Sequence, residues 1–164
     1  MKRAIVLLAL SVILALVLAA PTVLAQSENG GAPKPVSADF TVQPSAPGGS
    51  CDFPIRLQVS GKGKTITQPD GSLIFTSPGL DVTATNRQNG EQARFSITGT
   101  FFESTNPENG DVTTVITGRN LLFDPDAGIV LLSGNFSFVF DAEGNLVQPL
   151  EGKGRLIDVC ALLG

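Results

Sequence analysis

The chain of 164 residues contains no histidine, tryptophan or tyrosine, and its one methionine is Met1. Without histidine it can build neither a Ser–His or Cys–His nucleophile system nor a histidine-ligated zinc site. Without tryptophan and tyrosine, only phenylalanine is left to stack on sugars or bases, and phenylalanine lacks a polar edge. These absences exclude the histidine-dependent enzyme classes and argue against carbohydrate recognition.

Long hydrophobic runs are also absent apart from one near the N-terminus, residues 5–20. A basic dipeptide precedes this run, a proline follows it, and Val23 and Ala25 then supply the small residues of a cleavage site. The run is slightly shorter than the roughly 17–20 apolar residues that a spanning helix needs. We therefore predict a secretory signal peptide over residues 1–25, cleaved after Ala25, rather than a retained membrane anchor. A secreted, extracellular location follows, in a layout typical of bacterial exported proteins.

Basic residues are scarce as well. The sequence has 11 lysines and arginines, two of them (Lys2 and Arg3) in the signal peptide, which leaves 9 against 15 acidic residues. The resulting net charge, 9 minus 15 or −6, argues against nucleic acid as a partner, because that binding depends on cations that neutralise phosphates. It argues equally against adsorption to anionic membrane surfaces.

The only cysteines are Cys51 and Cys160. An even count in an exported chain predicts a disulfide, and the absence of Cys-x-x-Cys spacing argues against a redox-active pair. We predict that this disulfide closes residues 51–164 into one β domain. Residues 26–50, rich in glycine, proline and serine, are predicted to be a flexible lead in which only residues 38–42 have the pattern of an edge strand.

From Cys51 onward apolar and polar residues alternate, as in Ile55-Arg56-Leu57-Gln58-Val59, a pattern typical of strands with one buried face. Turn-favouring pairs such as Asn89-Gly90 and Asn109-Gly110 separate these runs. We therefore predict an all-β fold, a single antiparallel meander of about eight strands that is closed or nearly closed into a barrel. A β-sandwich is the alternative, and no helix is expected after the signal peptide.

Two similar basic segments lie near the two ends of the predicted domain, Gly61-Lys62-Gly63-Lys64 and Gly152-Lys153-Gly154-Arg155. If the two cysteines lie on paired first and last strands, these segments become neighbours. The result would be an anion-binding patch built from glycine amides and four cations. The alternative is that the glycines mark a sharply bent seam and the charges are merely solvated. The patch residues are Lys62, Lys64, Lys153 and Arg155.

Acidic residues offer one candidate site. Asp158 lies in the apolar run 156–160 and is the best candidate for a buried acid, for which an ion pair with Arg56 or Arg119 is favoured over catalysis. The acidic turns near residues 124 and 141 are interpreted as turn chemistry rather than calcium loops. No metal site, cofactor or catalytic residue is predicted.

Three classes of function remain open. The first is a non-enzymatic secreted module that binds or packs against another molecule, such as a cell-envelope component. The second is a barrel that carries a small apolar ligand against a face lined by Phe136, Phe138 and Phe140. The third is a carboxylate-dependent barrel enzyme, for instance an isomerase or cyclase. No Gly-x-Ser-x-Gly, Ser-x-x-Lys or His-Glu-x-x-His motif supports an enzyme, so we lean towards a protein without catalysis.

Overall fold

The computed structural model describes residues 31–44, 51–125 and 128–164, so the predicted signal peptide and much of the predicted lead lie outside the described residues. The described chain is all-β with one short C-terminal helix. The elements are β1 (Lys34–Val42), β2 (Ile55–Thr67), β3 (Leu73–Thr76), β4 (Asp81–Asn86), β5 (Gln92–Ser96), β6 (Thr100–Thr105), β7 (Val112–Asp124), β8 (Gly128–Phe140), β9 (Leu146–Asp158) and α1 (Val159–Leu163).

The strands form one antiparallel sheet in the order β5-β4-β2-β3-β6-β7-β8-β9, with β1 on the other side of β2. β4 and β3 follow one another along β2, where they pair with residues 55–60 and 64–67. β5 and β6 follow one another in the same way along β4 and β3. The antiparallel all-β prediction is confirmed. The sheet is not closed, so closure into a barrel is not confirmed.

The breaks that separate β3 from β4 and β5 from β6 lie side by side. The amide of Ile97 donates to the carbonyl of Leu80 at 2.8 Å, and the Ser77 hydroxyl donates to the carbonyls of Ile97 (2.6 Å) and Gly99 (3.0 Å). Ser77 is buried, so these bonds satisfy carbonyls that have left the regular ladder. The structure therefore divides residues 92–105 into two strands.

A row of glycines crosses the sheet at the same level as these breaks. Gly118, Gly134 and Gly154 are opposite one another on β7, β8 and β9. A Cβ atom on Gly134 would overlap the carbonyl oxygen of Lys153, and one on Gly61 in β2 would overlap that of Gly79. The backbones therefore approach one another more closely here than any side chain permits. We call Gly61, Gly99, Gly118, Gly134 and Gly154 the glycine row.

Two hydrophobic clusters share strand β8. Its residues Ile129 and Leu131 join a cluster built on β2, β4, β5 and α1, whereas Val130 and Leu132 join a second cluster with Ile116 and two phenylalanines. All four of these β8 side chains are at most 1% exposed. Alternation along a strand sends neighbouring side chains to opposite faces, so this end of β8 is buried on both sides.

The C-terminal helix α1 was not predicted from the sequence. Its Val159 and Leu163 are buried in the first cluster, and the side-chain amides of Asn86 and Asn89 donate to the carbonyl of Leu163 at 2.9 and 3.0 Å. The predicted Cys51–Cys160 disulfide is present and ties this helix to the segment before β2. With only five residues, α1 depends on these tertiary contacts for its stability.

The predicted lead is partly ordered. The edge strand expected at residues 38–42 is present but longer, because β1 begins at Lys34 and pairs with β2 as far as Gly63. Phe40 and Val42 pack against the first hydrophobic cluster, so this part of the lead belongs to the folded domain.

Removing the disulfide with Cys51→Ser and Cys160→Ser together should lower the free energy of unfolding. The cysteines are 109 residues apart, and the chain-entropy treatment gives about 4–5 kcal/mol for a loop of that order. Chemical denaturation of the double variant and the wild type measures the difference. A loss below about 1 kcal/mol would contradict a structural role for the bond.

Gly134→Ala tests the close approach of β8 to β9. We expect a loss of at least about 3 kcal/mol, because the new Cβ adds backbone overlap to the strain of a positive φ. Gly71→Ala is the matched control, since Gly71 also has a positive φ but nothing lies within 4 Å of its Cβ position. The control should lose only about 1–2 kcal/mol, and equal losses in denaturation curves would refute the close approach.

Candidate functional site

Four apolar side chains form a continuous row across strands β3, β6, β7 and β8. Phe75 on β3 is opposite Phe101 on β6, Phe101 is opposite Ile116 on β7, and Ile116 is opposite Phe136 on β8. Opposite residues of paired strands share a face, so the four side chains cover one continuous surface. A second row on the same face is formed by Leu73, Glu103, Thr114 and Phe138. We call these eight residues the phenylalanine face.

The phenylalanine face is buried at one side and open at the other. Ile116, Phe136 and Phe138 are at most 8% exposed, whereas Leu73 is 37% exposed. Phe138 packs edge-on against Phe140, with the ring centroids 5.5 Å apart, and Phe140 is opposite Leu146, which is 38% exposed. The prediction that Phe136 and Phe138 share a buried face is confirmed, and Phe140 packs against the same cluster.

Glu103 is the one ionisable residue of the phenylalanine face. In the strand register it is opposite Leu73 on one side and Thr114 on the other. Burial raises the pKa of its carboxyl group. No described residue forms an ion pair or side-chain hydrogen bond with it. A half-buried carboxyl without an internal partner is able to accept a hydrogen bond or a positive charge from outside the protein.

The two basic segments have glycines for a packing reason. The ring of Phe75 lies over Gly63, where an added Cβ would be 3.0 Å from two ring carbons. The ring of Phe136 covers Gly152 and Gly154 on β9 in the same way, at 2.8 and 2.9 Å. Aromatic rings that cover strand glycines replace the apolar contacts that a glycine cannot make. This favours the interpretation of the glycines as a seam.

The predicted anion patch loses the strand pairing on which it rested. β2 pairs with β1, β3 and β4, and β9 pairs with β8. The two strands that carry the basic segments, β2 and β9, are therefore not paired with each other. The physical reason is that β1, from the predicted lead, occupies the edge of β2 that β9 was expected to take. A common patch of Lys62, Lys64, Lys153 and Arg155 stays a prediction without that support.

The prediction of a buried Asp158 is wrong. Asp158 is exposed at the end of β9, where its carboxylate accepts a 2.9 Å hydrogen bond from the amide of Ala161 and caps helix α1. The suggested partner Arg56 instead forms a two-point pair with Asp39 on β1, and Arg119 is exposed. Asp158 ends β9 and is the N-cap of α1, a position that keeps its carboxylate at the surface beside the first amides of the helix.

The acidic turn at residue 141 follows ordinary turn chemistry. Asp141 accepts hydrogen bonds from the amide and the side chain of Asn145 at 2.7 and 2.8 Å, and these bonds lower the pKa of its carboxyl. Asp126 of the other acidic turn lies outside the described residues. Within residues 31–44, 51–125 and 128–164, no group of three or more histidine, cysteine, aspartate or glutamate residues is arranged to hold a metal ion.

Comparison with known protein families, curated protein sequences and solved structures finds no match. No helix in the described part of the chain is long and apolar enough to cross a membrane.

Sequence reasoning passed over Glu103, although a signal for it exists. In Thr100-Phe101-Phe102-Glu103 the period of two places Phe101 and Glu103 on one face. An acid on the face of a large apolar residue is unusual in a half-buried strand. Phe101 and Phe102 are adjacent, so either face of β6 could be the buried one. Only the register with β7 shows that Glu103 lies on the side of Ile116.

Glu103→Gln should stabilise the protein at neutral pH. Because burial raises the pKa of Glu103, the fold favours the neutral carboxyl, and this contribution is lost as pH rises from the ordinary pKa of 4.5 through the raised value. The glutamine side chain stays neutral at every pH, so the variant does not lose this stability as pH rises. We expect a gain of less than about 1 kcal/mol at about pH 7, since solvent screens the group in part, and no gain at about pH 3.5.

The free energies of unfolding of variant and wild type at the two pH values measure this effect. Glu108→Gln, at an exposed turn position, is the control for the change of residue type and should alter stability little at either pH. A gain from Glu103→Gln that is equal at both pH values would show that ionisation of Glu103 plays no part.

Proposed function

We propose that this protein is a secreted, non-enzymatic bacterial β-domain that binds a small apolar molecule carrying a hydrogen-bond donor, with an amine as the preferred donor. The observation that carries the proposal is the position of Glu103 between Leu73 and Thr114 on the phenylalanine face. The apolar part of the ligand lies against the open side of that face, beside Leu73. Its donor group meets the Glu103 carboxylate.

The two parts of the site contribute differently. Each methylene group of a ligand that leaves water contributes about 0.8 kcal/mol, so an alkyl chain supplies most of the affinity. A hydrogen bond to a charged group contributes about 1.5–3 kcal/mol, which is enough to choose between ligands of equal chain length. A bound cation also gives the ionised carboxylate of Glu103 the partner that it lacks among the described residues.

The remaining sequence predictions fit this role without being tested by the fold. The signal peptide over residues 1–25 would deliver the protein to the cell envelope or the medium, where apolar amines and envelope components are both met. The wall around the ligand would be a partly open form of the predicted barrel. A carboxylate enzyme needs a second acid at working distance, whereas the pKa of Glu103 is raised by burial with no contribution from a neighbouring charge.

Binding of three ten-carbon probes, n-decylamine, n-decanol and decanoate, tests the proposal by calorimetric titration at neutral pH. Because the chain is constant, differences in dissociation constant report the head group alone. We expect decylamine to bind about tenfold more tightly than decanol, and decanoate to bind most weakly. In Glu103→Gln the preference for the amine should disappear while decanol binding stays within about twofold. No binding of any probe would overturn the proposed function.

Leu73→Ser and Phe102→Ser form a matched pair that locates the binding surface. The two side chains are 37% and 36% exposed and lie on neighbouring strands, but Phe102 points away from the phenylalanine face. We expect Leu73→Ser to weaken decanol binding at least about fivefold and Phe102→Ser to leave it unchanged. Equal effects of the two substitutions would contradict binding at this face.

A further inference from the structure

The last strand of the sheet has one edge without a neighbour in the described chain. β9 is 13 residues long, pairs only with β8 among the described strands, and is exposed along most of its length. A strand edge of this length presents a row of backbone donors and acceptors that another strand can pair with. Natural proteins cover, shorten or charge such edges to prevent pairing with other chains. The charged residues along the β9 edge are therefore compared with those of other edge strands.

Two other edge strands of the described sheet, β1 and β5, each have a charge paired with a neighbouring strand. On β1, Asp39 pairs with Arg56 of β2, with the Arg56 Nε atom 2.8 Å from the carboxylate. On β5, Arg94 pairs with Asp81 of β4 at 2.9 Å. Charges at both edges are therefore directed back into the sheet, which leaves little to recognise a further strand.

Strand β9 differs in this respect. Three of its charged residues, Glu151, Lys153 and Arg155, are opposite uncharged residues of β8. None of the three forms an ion pair with a described residue. Leu156, beside them, is 47% exposed. The β8 partners, in the same order, are Ser137, Asn135 and Ser133.

The sequence of β9 is self-complementary. Residues 150–156 read Leu-Glu-Gly-Lys-Gly-Arg-Leu, which is symmetric in residue class about Lys153, with charges of opposite sign at the two matching positions. Two copies that run antiparallel about a two-fold axis at Lys153 place Leu150 opposite Leu156, and Glu151 opposite Arg155, twice each. Opposite-charge and apolar cross-strand pairs each contribute about 0.2–1 kcal/mol.

We propose that two copies of this chain form a two-fold symmetric dimer by antiparallel pairing of residues 150–156 of β9 through its free edge. A two-fold axis perpendicular to the sheet keeps each residue on its own face, so Leu150 and Leu156 meet on one face and the charged residues on the other. Pro149, which has no amide hydrogen, marks the end of the ladder at each side. The dimer is independent of the proposed ligand binding.

The proposed register also pairs glycine with glycine on either side of Lys153. A Cβ on Gly134 would overlap the β9 backbone, and a Cβ on Gly152 or Gly154 would overlap that of β8. Where β8 and β9 cross at this level, both therefore need glycine. In the two-fold register, Gly152 of one copy is opposite Gly154 of the other, so the added strand also has glycine there. Few sequences offer glycine and charge complementarity together.

The one unfavourable pair is Lys153 with the partner subunit's Lys153. Both ammonium groups are on exposed side chains, where solvent screens their repulsion, and the partner's Glu151 on one diagonal offsets the partner's Arg155 on the other. Seven residue pairs make a small interface compared with the roughly 1,200–2,000 Å² of a stable complex. We therefore expect a weak dimer with a dissociation constant in about the micromolar range.

Charge reversal at the matching positions gives a test specific to this register. Glu151→Arg places arginine opposite arginine, and Arg155→Glu places glutamate opposite glutamate, so each variant alone should dissociate at least about tenfold more readily. In a mixture of the two variants, the two arginines of one chain lie opposite the two glutamates of the other, which should restore the dimer. The double variant Glu151→Arg, Arg155→Glu should also dimerise within about threefold of the wild type.

Sedimentation equilibrium of the whole protein over about 1–500 μM measures each dissociation constant, and circular dichroism checks that each variant is folded. Recovery of the dimer on mixing the two single variants would support the register, because a general loss of fold cannot be rescued by mixing. A wild type that stays monomeric throughout, or a dimer that survives both single reversals unchanged, would overturn the proposal.

Discussion

The fold depends on one constraint, the close approach of backbones along the glycine row. Because Gly118, Gly134 and Gly154 lie opposite one another, β7, β8 and β9 are each divided at the same level. On the N-terminal side of Gly134, β8 is buried on both faces and joins two hydrophobic clusters. On the C-terminal side of Gly134, β8 contributes Phe136 and Phe138 to a single face. The breaks after β3 and β5 occur at this level too, so the row sets the architecture across most of the sheet.

Close approach without side chains leaves little apolar surface to bury, and the aromatic residues compensate for this. Phe75 covers Gly63, and Phe136 covers Gly152 and Gly154. The residues that stabilise the seam are therefore also the residues that line the phenylalanine face. This double role means that the buried phenylalanines cannot be exchanged without cost to the fold. Selectivity for a ligand has to come from the open side, where Glu103 and Leu73 are available.

How far the sequence predicted the structure can be judged from particular elements. Period-two alternation and the Asn-Gly turns were sufficient for the strands, because both signals are local. The breaks between β3 and β4 and between β5 and β6 were not predicted, since only the bond from Ile97 to Leu80 shows that both chain segments break together. Asp158 was misplaced because a five-residue helix has no periodicity of its own to reveal it. Glu103 required the register with β7, which no local pattern supplies.

The same constraint leaves the outer edge of β9 unrestricted. The Cβ positions of Gly152 and Gly154 meet the backbone of β8, so the close approach lies on the inner side of β9. At another edge of the sheet β1 places the β-branched Val36 opposite Gly61, so an edge strand at this level does not itself need glycine. What distinguishes a partner at the β9 edge is therefore charge, and β9 itself carries glutamate and arginine at positions that are symmetric about Lys153.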